Sequence, residues 1–146
     1  ARYLEAAPDS TEWDNIKWGD SGTLIGGDAQ LTGIGDGQAA TDAIVAHMDV
    51  EPITGTAAQL ADGLSHGAYT DWFLPSKDEL DLMYQNKGAI GGFASDRYWS
   101  SWEPNDSAAP TGPSPAAYAW NQDFGNGNRG NYQKNSSARV RSVRAF

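Results

Sequence analysis

The segments YWSS (residues 98–101), YAWNQDF (118–124) and RVRSVRAF (139–146) decide the fold of this chain. Their aromatic and β-branched side chains and short length predict strands. A Pro-rich loop separates the first segment from the second, and an Asn/Gly tract, residues 125–137, separates the second from the third. Because core-type aromatic residues lie beside a polar tract, we interpret residues 98–146 as a scaffold that presents a contact surface.

Alternation assigns faces within the second segment. Trp120, Gln122 and Phe124 share one face of the predicted strand, and the two aromatic rings mark that face as the inner one. Asn121 and Asp123 share the opposite face, which we expect to be exposed.

The last segment does not alternate strictly. Val140 and Val143 fall on different faces of an unbroken strand. This spacing predicts a β-bulge near Ser142.

The remaining sequence predicts an α+β order. The predicted elements are a strand over 2–7, helices over 37–48 and 56–64, a short aromatic strand over 71–75, a helix that starts at Ser76, and strands over 98–102, 117–124 and 138–146. Residues 9–37 are rich in Gly, Asp, Ser and Thr, and we expect them to be irregular. Ser76 and Glu79 have the spacing of a capping box.

Composition limits the class of protein. A chain of 146 residues with 39% hydrophobic residues is long enough for one domain with a real core, and we treat residues 1–146 as a single domain. The absence of Cys excludes disulfides and thiolate metal sites. No apolar stretch approaches the roughly 18 residues of a membrane span, so we expect no direct membrane insertion. The chain begins abruptly at Ala1, and we expect a mature form or the C-terminal domain of a larger protein.

Charge is distributed unevenly. The formal net charge is −9, yet the last acidic side chain is Asp123. Five of the ten basic residues follow it, namely Arg129, Lys134, Arg139, Arg141 and Arg144. This tail either neutralises the acidic body locally or forms a basic patch for an anionic or sulfated glycan, with Arg129 and Lys134 as the expected contacts. Overall acidity weakens attraction to nucleic acid, and we expect none to bind.

Several short motifs in order resemble one domain family. They are YLEAAP (3–8), YTDWFLPSKDEL (69–80), GGF (91–93), YWSS (98–101), AWNQDF (119–124) and RVRSVRAF (139–146). Together they span nearly the whole chain and are similar to the family named after the C-terminus of the Legionella collagen-like adhesin. The resemblance implies a C-type-lectin-like fold with paired N- and C-terminal strands, a small twisted antiparallel sheet, two to three helices and extensive irregular loops.

The resemblance also implies a function. Members of the family occur in bacterial surface proteins, adhesins and phage fibres, and some are variable proteins of diversity-generating retroelements. It therefore implies an extracellular domain, on a bacterial surface or a virion, that binds a protein or glycan of a target cell. A homotrimer, common at fibre tips, is an open alternative.

We expect the contact surface to be built from 101–106, 117–123 and 126–133. The expected contact residues are Trp102, Tyr118, Asn121, Asp123, Asn126, Asn128, Arg129, Asn131 and Tyr132. Tyr supplies rigid amphipathic area and Asn adaptable hydrogen bonds. The alternative for the tract is an ordinary loop, in which Asn and Gly serve because they tolerate positive φ. Trp102 departs from the family pattern and is either a lid on the core or an exposed contact residue.

Neither a cofactor nor catalysis is expected. His47 and His66 lack a local partner at the spacing of a triad or metal site. The sequence Glu103-Pro104-Asn105 resembles the calcium and sugar motif of calcium-dependent C-type lectins, and Asp106 and Asp123 could add oxygen ligands. The later Trp-Asn-Asp of those lectins is not matched in spacing, and we expect no metal site.

Overall fold

The computed structural model describes residues 3–20, 24–50, 53–104 and 117–146. Within them the strands are β1 (Leu4–Ala6), β2 (Trp13–Lys17), β3 (Arg97–Trp99), β4 (Tyr118–Asp123), β5 (Arg129–Gln133), β6 (Ser137–Val140) and β7 (Val143–Ala145). The helices are α1 (Gly37–Val50), α2 (Ala57–Asp62), α3 (Lys77–Gln85) and α4 (Lys87–Ile90). The predicted α+β class is confirmed. None of the helices in these ranges is long and apolar enough to cross a membrane.

The two ends of the chain pair with each other. Strands β1 and β7 form an antiparallel ribbon in which Ala6 lies opposite Val143. Backbone hydrogen bonds between Tyr3 and Phe146, at 3.0 and 3.1 Å, extend the ribbon outward. Phe73 forms a bridge to Val143, so the segment predicted as an aromatic strand over 71–75 contributes only one ladder pair.

The other five strands form one mixed sheet in the order β2-β6-β3-β4-β5. The contact between β3 and β6 is parallel and the remaining contacts are antiparallel, so the sheet is mixed where an antiparallel sheet was expected. Two of these strands were not predicted: β2 lies in the stretch expected to be irregular, and β5 lies in the Asn/Gly tract. The tract is therefore the second arm of a hairpin with β4.

Each face of this sheet carries its own core. Trp99 on β3 packs in a cluster with Trp18 and Ile44, whereas the adjacent residue Tyr98 packs with Leu80 of α3. Successive side chains of a strand point to opposite faces, so one strand supplies both clusters. The sheet is covered on both sides, and alternation does not distinguish an inner from an outer face.

The helix start at Ser76 is confirmed in detail. The Glu79 backbone N–H donates to Ser76 Oγ at 3.2 Å, and the Ser76 N–H donates to Glu79 Oε1 at 2.8 Å. The Glu79 carboxylate also accepts the Gly35 N–H at 3.1 Å, which joins a distant loop to α3. Burial raises the pKa of Glu79, and these hydrogen bonds oppose the rise.

The bulge predicted near Ser142 is a complete break between two sheets. After β6 the chain leaves the five-stranded sheet, and β7 pairs with β1. The Arg141 side chain is buried at the break, where its Nε donates to the Ala7 carbonyl and its guanidinium to the Gly91 carbonyl, each at 2.7 Å. The Ser142 carbonyl accepts the Ala7 N–H. These loop partners replace the ladder that an uninterrupted strand would need.

One turn carries local backbone strain that can be measured. Gly67 and Ala68 both have positive φ, at 63° and 67°, between His66 and Tyr69, which exchange backbone hydrogen bonds of 3.0 Å. An L-residue in this region costs about 1–2 kcal/mol. Replacement by Gly removes that cost, but part of the gain is offset because Gly has more conformational freedom in the unfolded state. We expect Ala68→Gly to raise the free energy of unfolding by about 0.5–1 kcal/mol in urea titrations.

The control for that prediction is Ala46→Gly, at an exposed position of α1. Here the same chemical change should lower the free energy of unfolding by about 1 kcal/mol, because Gly is a poor helix former. Losses of equal size at both positions would contradict the assignment of strain to Ala68.

Candidate functional site

The register of the sheet places the predicted contact residues of β4 and β5 on two opposite faces. Trp120 lies opposite Asn131, and Gln122 lies opposite Arg129, on the face that packs against α3. Tyr118 shares this face, whereas Asn121, Asp123 and Tyr132 lie on the other face, where Ala119 is opposite Tyr132. The two groups therefore do not form one continuous surface of the sheet.

Two of the predicted contact residues are buried. Asn121 is 1% exposed, and Tyr118 is also in the core. Neither amide atom of Asn121 has a hydrogen-bond partner within the described ranges. The expectation that Asn121 is exposed is wrong, because the face it shares with Trp99 is as deeply covered as the face of Phe124.

Tyr132 contributes to a separate feature on the second face. Its side chain is 37% exposed, and the Arg97 guanidinium lies 4.5 Å from the ring centroid. A Cβ placed on Gly130 would lie 3.6 Å from Tyr132 Cε2, so the ring leans along its own strand. This cation–π pair belongs to the face remote from Trp120.

Asp123 and Asn126 shape the turn between β4 and β5. The Asp123 carboxylate accepts the Gly125 N–H at 2.7 Å, and Asn126 Oδ1 accepts the Asn128 N–H at 2.9 Å. Gly127 has φ of 83°, and a Cβ there would lie 2.8 Å from the Tyr84 ring. For Asp123 and Asn126 the ordinary-turn interpretation therefore has direct structural support.

The face toward α3 carries an aromatic pair with a cation above it. The Trp102 and Trp120 rings lie 5.1 Å apart at an angle of 57°. Lys77 Nζ lies 5.4 Å from the Trp102 centroid and 5.8 Å from the Trp120 centroid. Both indoles are half-buried, so Trp102 is neither a complete lid nor a fully exposed side chain.

An open groove lies beside this pair, and we call it the α3–hairpin groove. Its volume is about 460 Å³, and it is lined by Lys77, Trp120, Gly127, Asn128 and Arg129. Sequence reasoning found Asn128 and Arg129 but missed Lys77. The capping box places Lys77 at the start of α3, but only the packing of α3 on the sheet brings it to Trp120.

Hydrogen bonds fix the frame of the groove. The Trp120 N–H donates to the Trp102 carbonyl at 3.1 Å, and the Ser100 N–H donates to the Trp120 carbonyl at 3.0 Å. On the helix side, Asp81 Oδ1 accepts from Gln122 Nε2 at 3.1 Å and lies 3.5 Å from an Arg129 guanidinium nitrogen. Backbone hydrogen bonds therefore fix the sheet side of the groove, and the Asp81 carboxylate joins the helix side to the hairpin.

Glu103 and Lys134 form a buried ion pair behind the groove. Their side chains are 0% and 1% exposed, and Lys134 Nζ lies 2.6 Å from Glu103 Oε2. Glu103 also accepts the N–H groups of Ile25 and Gly26, at 2.8 and 2.7 Å. Burial lowers the pKa of Lys134, while its hydrogen bond to Glu103 and the charge of that carboxylate oppose the fall.

This ion pair corrects one expectation. Lys134 is enclosed and does not lie on a basic surface, so it is not the glycan contact predicted from the charge of the tail. Both oxygens of Glu103, the first residue of the calcium-type motif, accept internal donors. Asn105 and Asp106 of that motif lie outside the described residues.

Three further basic residues of the tail, Arg139, Arg141 and Arg144, are paired within the fold, which favours the local-neutralisation alternative for them. Arg139 lies 3.5 Å from Glu12, Arg141 binds loop carbonyls, and Arg144 lies 3.0 Å from Asp71. Among the residues of the described ranges, no group of three or more His, Asp or Glu side chains is arranged to hold a metal ion.

Comparison with known proteins gives no family for this chain. No protein-family model matches it, and no curated protein matches its sequence.

The buried ion pair leads to a test of stability. In Glu103→Gln the ammonium of Lys134 stays buried without a counter-charge, and we expect the free energy of unfolding to fall by about 3–5 kcal/mol. The double variant Glu103→Gln with Lys134→Met removes both charges and keeps an oxygen that can accept the N–H groups of Ile25 and Gly26, so it should be more stable than Glu103→Gln. Chemical denaturation of the two proteins measures the difference, and a double variant no more stable than the single one would contradict this account.

Proposed function

We propose that this chain is a non-catalytic ligand-binding domain with a C-type-lectin-like fold. The pairing of the first and last strands supports that fold, as does a small twisted sheet reached through long irregular segments. On this proposal the domain belongs to an extracellular adhesin or phage fibre of the family that its motifs resemble. Its partner is a protein or glycan on a target cell surface.

The observation that carries the proposal is the half-buried pair of indoles beside the α3–hairpin groove. Trp102 and Trp120 present flat apolar area that is held rigidly by the backbone pairing of β3 and β4. Aromatic side chains that are fixed before binding lose little conformational freedom, which favours affinity. Tryptophan in such a position is typical of the few residues that dominate binding energy.

The exposed residues that line the groove contribute little to the stability of the fold. Asn128 and Arg129 are exposed at the start of β5, in contrast to the buried Asn121 and Gln122 of the paired strand. Changes at exposed positions usually alter stability by less than about 0.5 kcal/mol. This difference supports a display surface whose sequence varies while the frame stays constant, as in the variable proteins of diversity-generating retroelements.

The proposal predicts tolerance at the surface. A library randomised at Lys77, Asn128, Arg129, Asn131 and Gln133 should leave most clones folded when displayed on yeast and probed with an antibody to a folded epitope. Selection of that library against hen egg lysozyme should yield binders, because the rigid frame presents the varied side chains together.

The control library randomises five buried positions of the same sheet, Trp99, Ala119, Phe124, Ala138 and Val140. We expect most of its clones to be lost, since core substitutions typically cost several kcal/mol. If the surface library loses folded clones as often as the control, these positions do not form a tolerant display surface.

Diversification makes a separate prediction at the level of genes. Codon differences among sibling genes should be confined to residues 100–138 and should fall mainly at adenine positions. Sequencing the siblings and their neighbourhood tests this, with a reverse transcriptase and a template repeat expected nearby. Differences spread evenly along the gene would contradict diversification but would not contradict the proposal that this surface binds a ligand.

A further inference from the structure

Two cations line the same groove without strong partners. The side chains of Lys77 and Arg129 are 29% and 47% exposed. Their nearest carboxylates are Asp78 at 3.7 Å and Asp81 at 3.5 Å. Charge-assisted hydrogen bonds between such groups are typically about 2.7–2.9 Å long, so both pairs are loose, exposed contacts of small stabilising effect. Both cations can therefore bind an anion without losing a strong internal interaction.

The other cations near the C-terminus contrast with these two. Lys134 is buried on Glu103, and the guanidinium of Arg141 is held by two backbone carbonyls. Arg144 pairs with Asp71 at 3.0 Å and lies over the Tyr69 ring at 3.6 Å. Arg129 differs from these three in being exposed and weakly paired, and it lies with Lys77 where α3 meets the β4–β5 hairpin.

The lining of the groove favours a sugar over a peptide. Trp120 is the single large apolar residue among the five that line it, and the groove is open and shallow. A peptide anchor usually needs a deep apolar pocket that excludes water. A pyranose ring needs instead a flat aromatic face for its C–H bonds and planar polar groups for its hydroxyls, which Trp120, Asn128 and Arg129 supply.

We propose that the α3–hairpin groove binds a saccharide that carries an acidic group. The sugar ring lies on the Trp120 indole, and its carboxylate or sulfate lies between Lys77 and Arg129. This inference rests on the proposed function, because it names the ligand class of the same surface. The anionic group is therefore bound at a site formed jointly by α3 and the β4–β5 hairpin, and not by the basic C-terminal tail as a whole.

The charge of the whole protein sets the range of this attraction. The net charge of −9 repels anions at a distance, so the two cations act only on a ligand that is already close. At about 0.15 M salt the screening length is about 8 Å, which suppresses the distant repulsion more than the contact inside the groove. Binding therefore depends on local geometry, with little electrostatic steering.

Isothermal titration calorimetry with defined oligosaccharides tests the proposal. The probes are a galacturonate hexamer for carboxylate, a heparin hexasaccharide for sulfate, maltohexaose as a neutral sugar, and hexaglutamate as an acidic peptide. We expect at least one acidic oligosaccharide to bind with a Kd below about 1 mM, and maltohexaose and hexaglutamate to bind at least tenfold more weakly. Whichever acidic sugar binds better identifies the anion.

The variants locate the binding site. Trp120→Ala and the double variant Lys77→Gln with Arg129→Gln should each weaken binding by about tenfold or more. The double variant Lys17→Gln with Arg97→Gln makes the same change of net charge outside the groove and should alter the Kd by less than about twofold. Circular dichroism melts establish that each variant is folded, and Trp120→Phe replaces Trp120→Ala if the latter unfolds.

Three results would overturn the inference: no acidic oligosaccharide binds at about 1 mM, hexaglutamate binds as well as the sugars, or the control double variant loses as much affinity as the groove variants. The failure of this inference is distinguishable from failure of the proposed function. If the surface library still folds and yields protein binders while the sugars do not bind, only the ligand class is wrong.

Discussion

The buried ion pair between Glu103 and Lys134 is the constraint on which the second half of the structure depends. A charge in the interior must be met by an opposite charge and by hydrogen bonds, or it destabilises the fold by several kcal/mol. Glu103 meets Lys134 and two backbone N–H groups of the 24–27 segment. The Lys134 backbone in turn accepts the Trp18 N–H at 2.9 Å and donates to the Ala117 carbonyl at 2.8 Å. Three distant segments are therefore fixed around one pair of charges.

This constraint explains why an irregular region can carry a rigid surface. Lys134 follows β5 directly and anchors one end of the β4–β5 hairpin, while Gln122 and Arg129 contact Asp81 of α3 at the other end. Trp102 directly precedes Glu103, so the buried carboxylate also restrains the indole that pairs with Trp120. The surface polar groups rest on a frame that is fixed by a buried ion pair and by backbone hydrogen bonds, which is the arrangement that favours preorganised binding.

How much of this could be predicted from sequence depends on how local each signal is. The capping box at Ser76 and Glu79 is local, and the structure has it as predicted. Strand β5 was missed because its Asn and Gly residues have low strand propensity, and its extended form comes from pairing with β4. Glu103 and Lys134 are separated by 31 residues, and no periodic pattern links two charges at that distance. Lys77 was missed for the same reason, since only packing brings α3 to Trp120.

Asn121 shows where folding alone does not account for the sequence. A buried amide with neither polar atom bonded within the described residues costs about 1–3 kcal/mol relative to an apolar residue of similar shape. Its neighbours Trp99 and Ala119 form an ordinary apolar core, in which Leu or Val would be the expected choice for stability. Asn121 lies in the buried frame, apart from the exposed residues of the proposed display surface, so variation of that surface does not account for its polarity. The frame tolerates that cost because the hairpin is held by Glu103 with Lys134 and by Asp81 with Gln122, and neither contact involves Asn121.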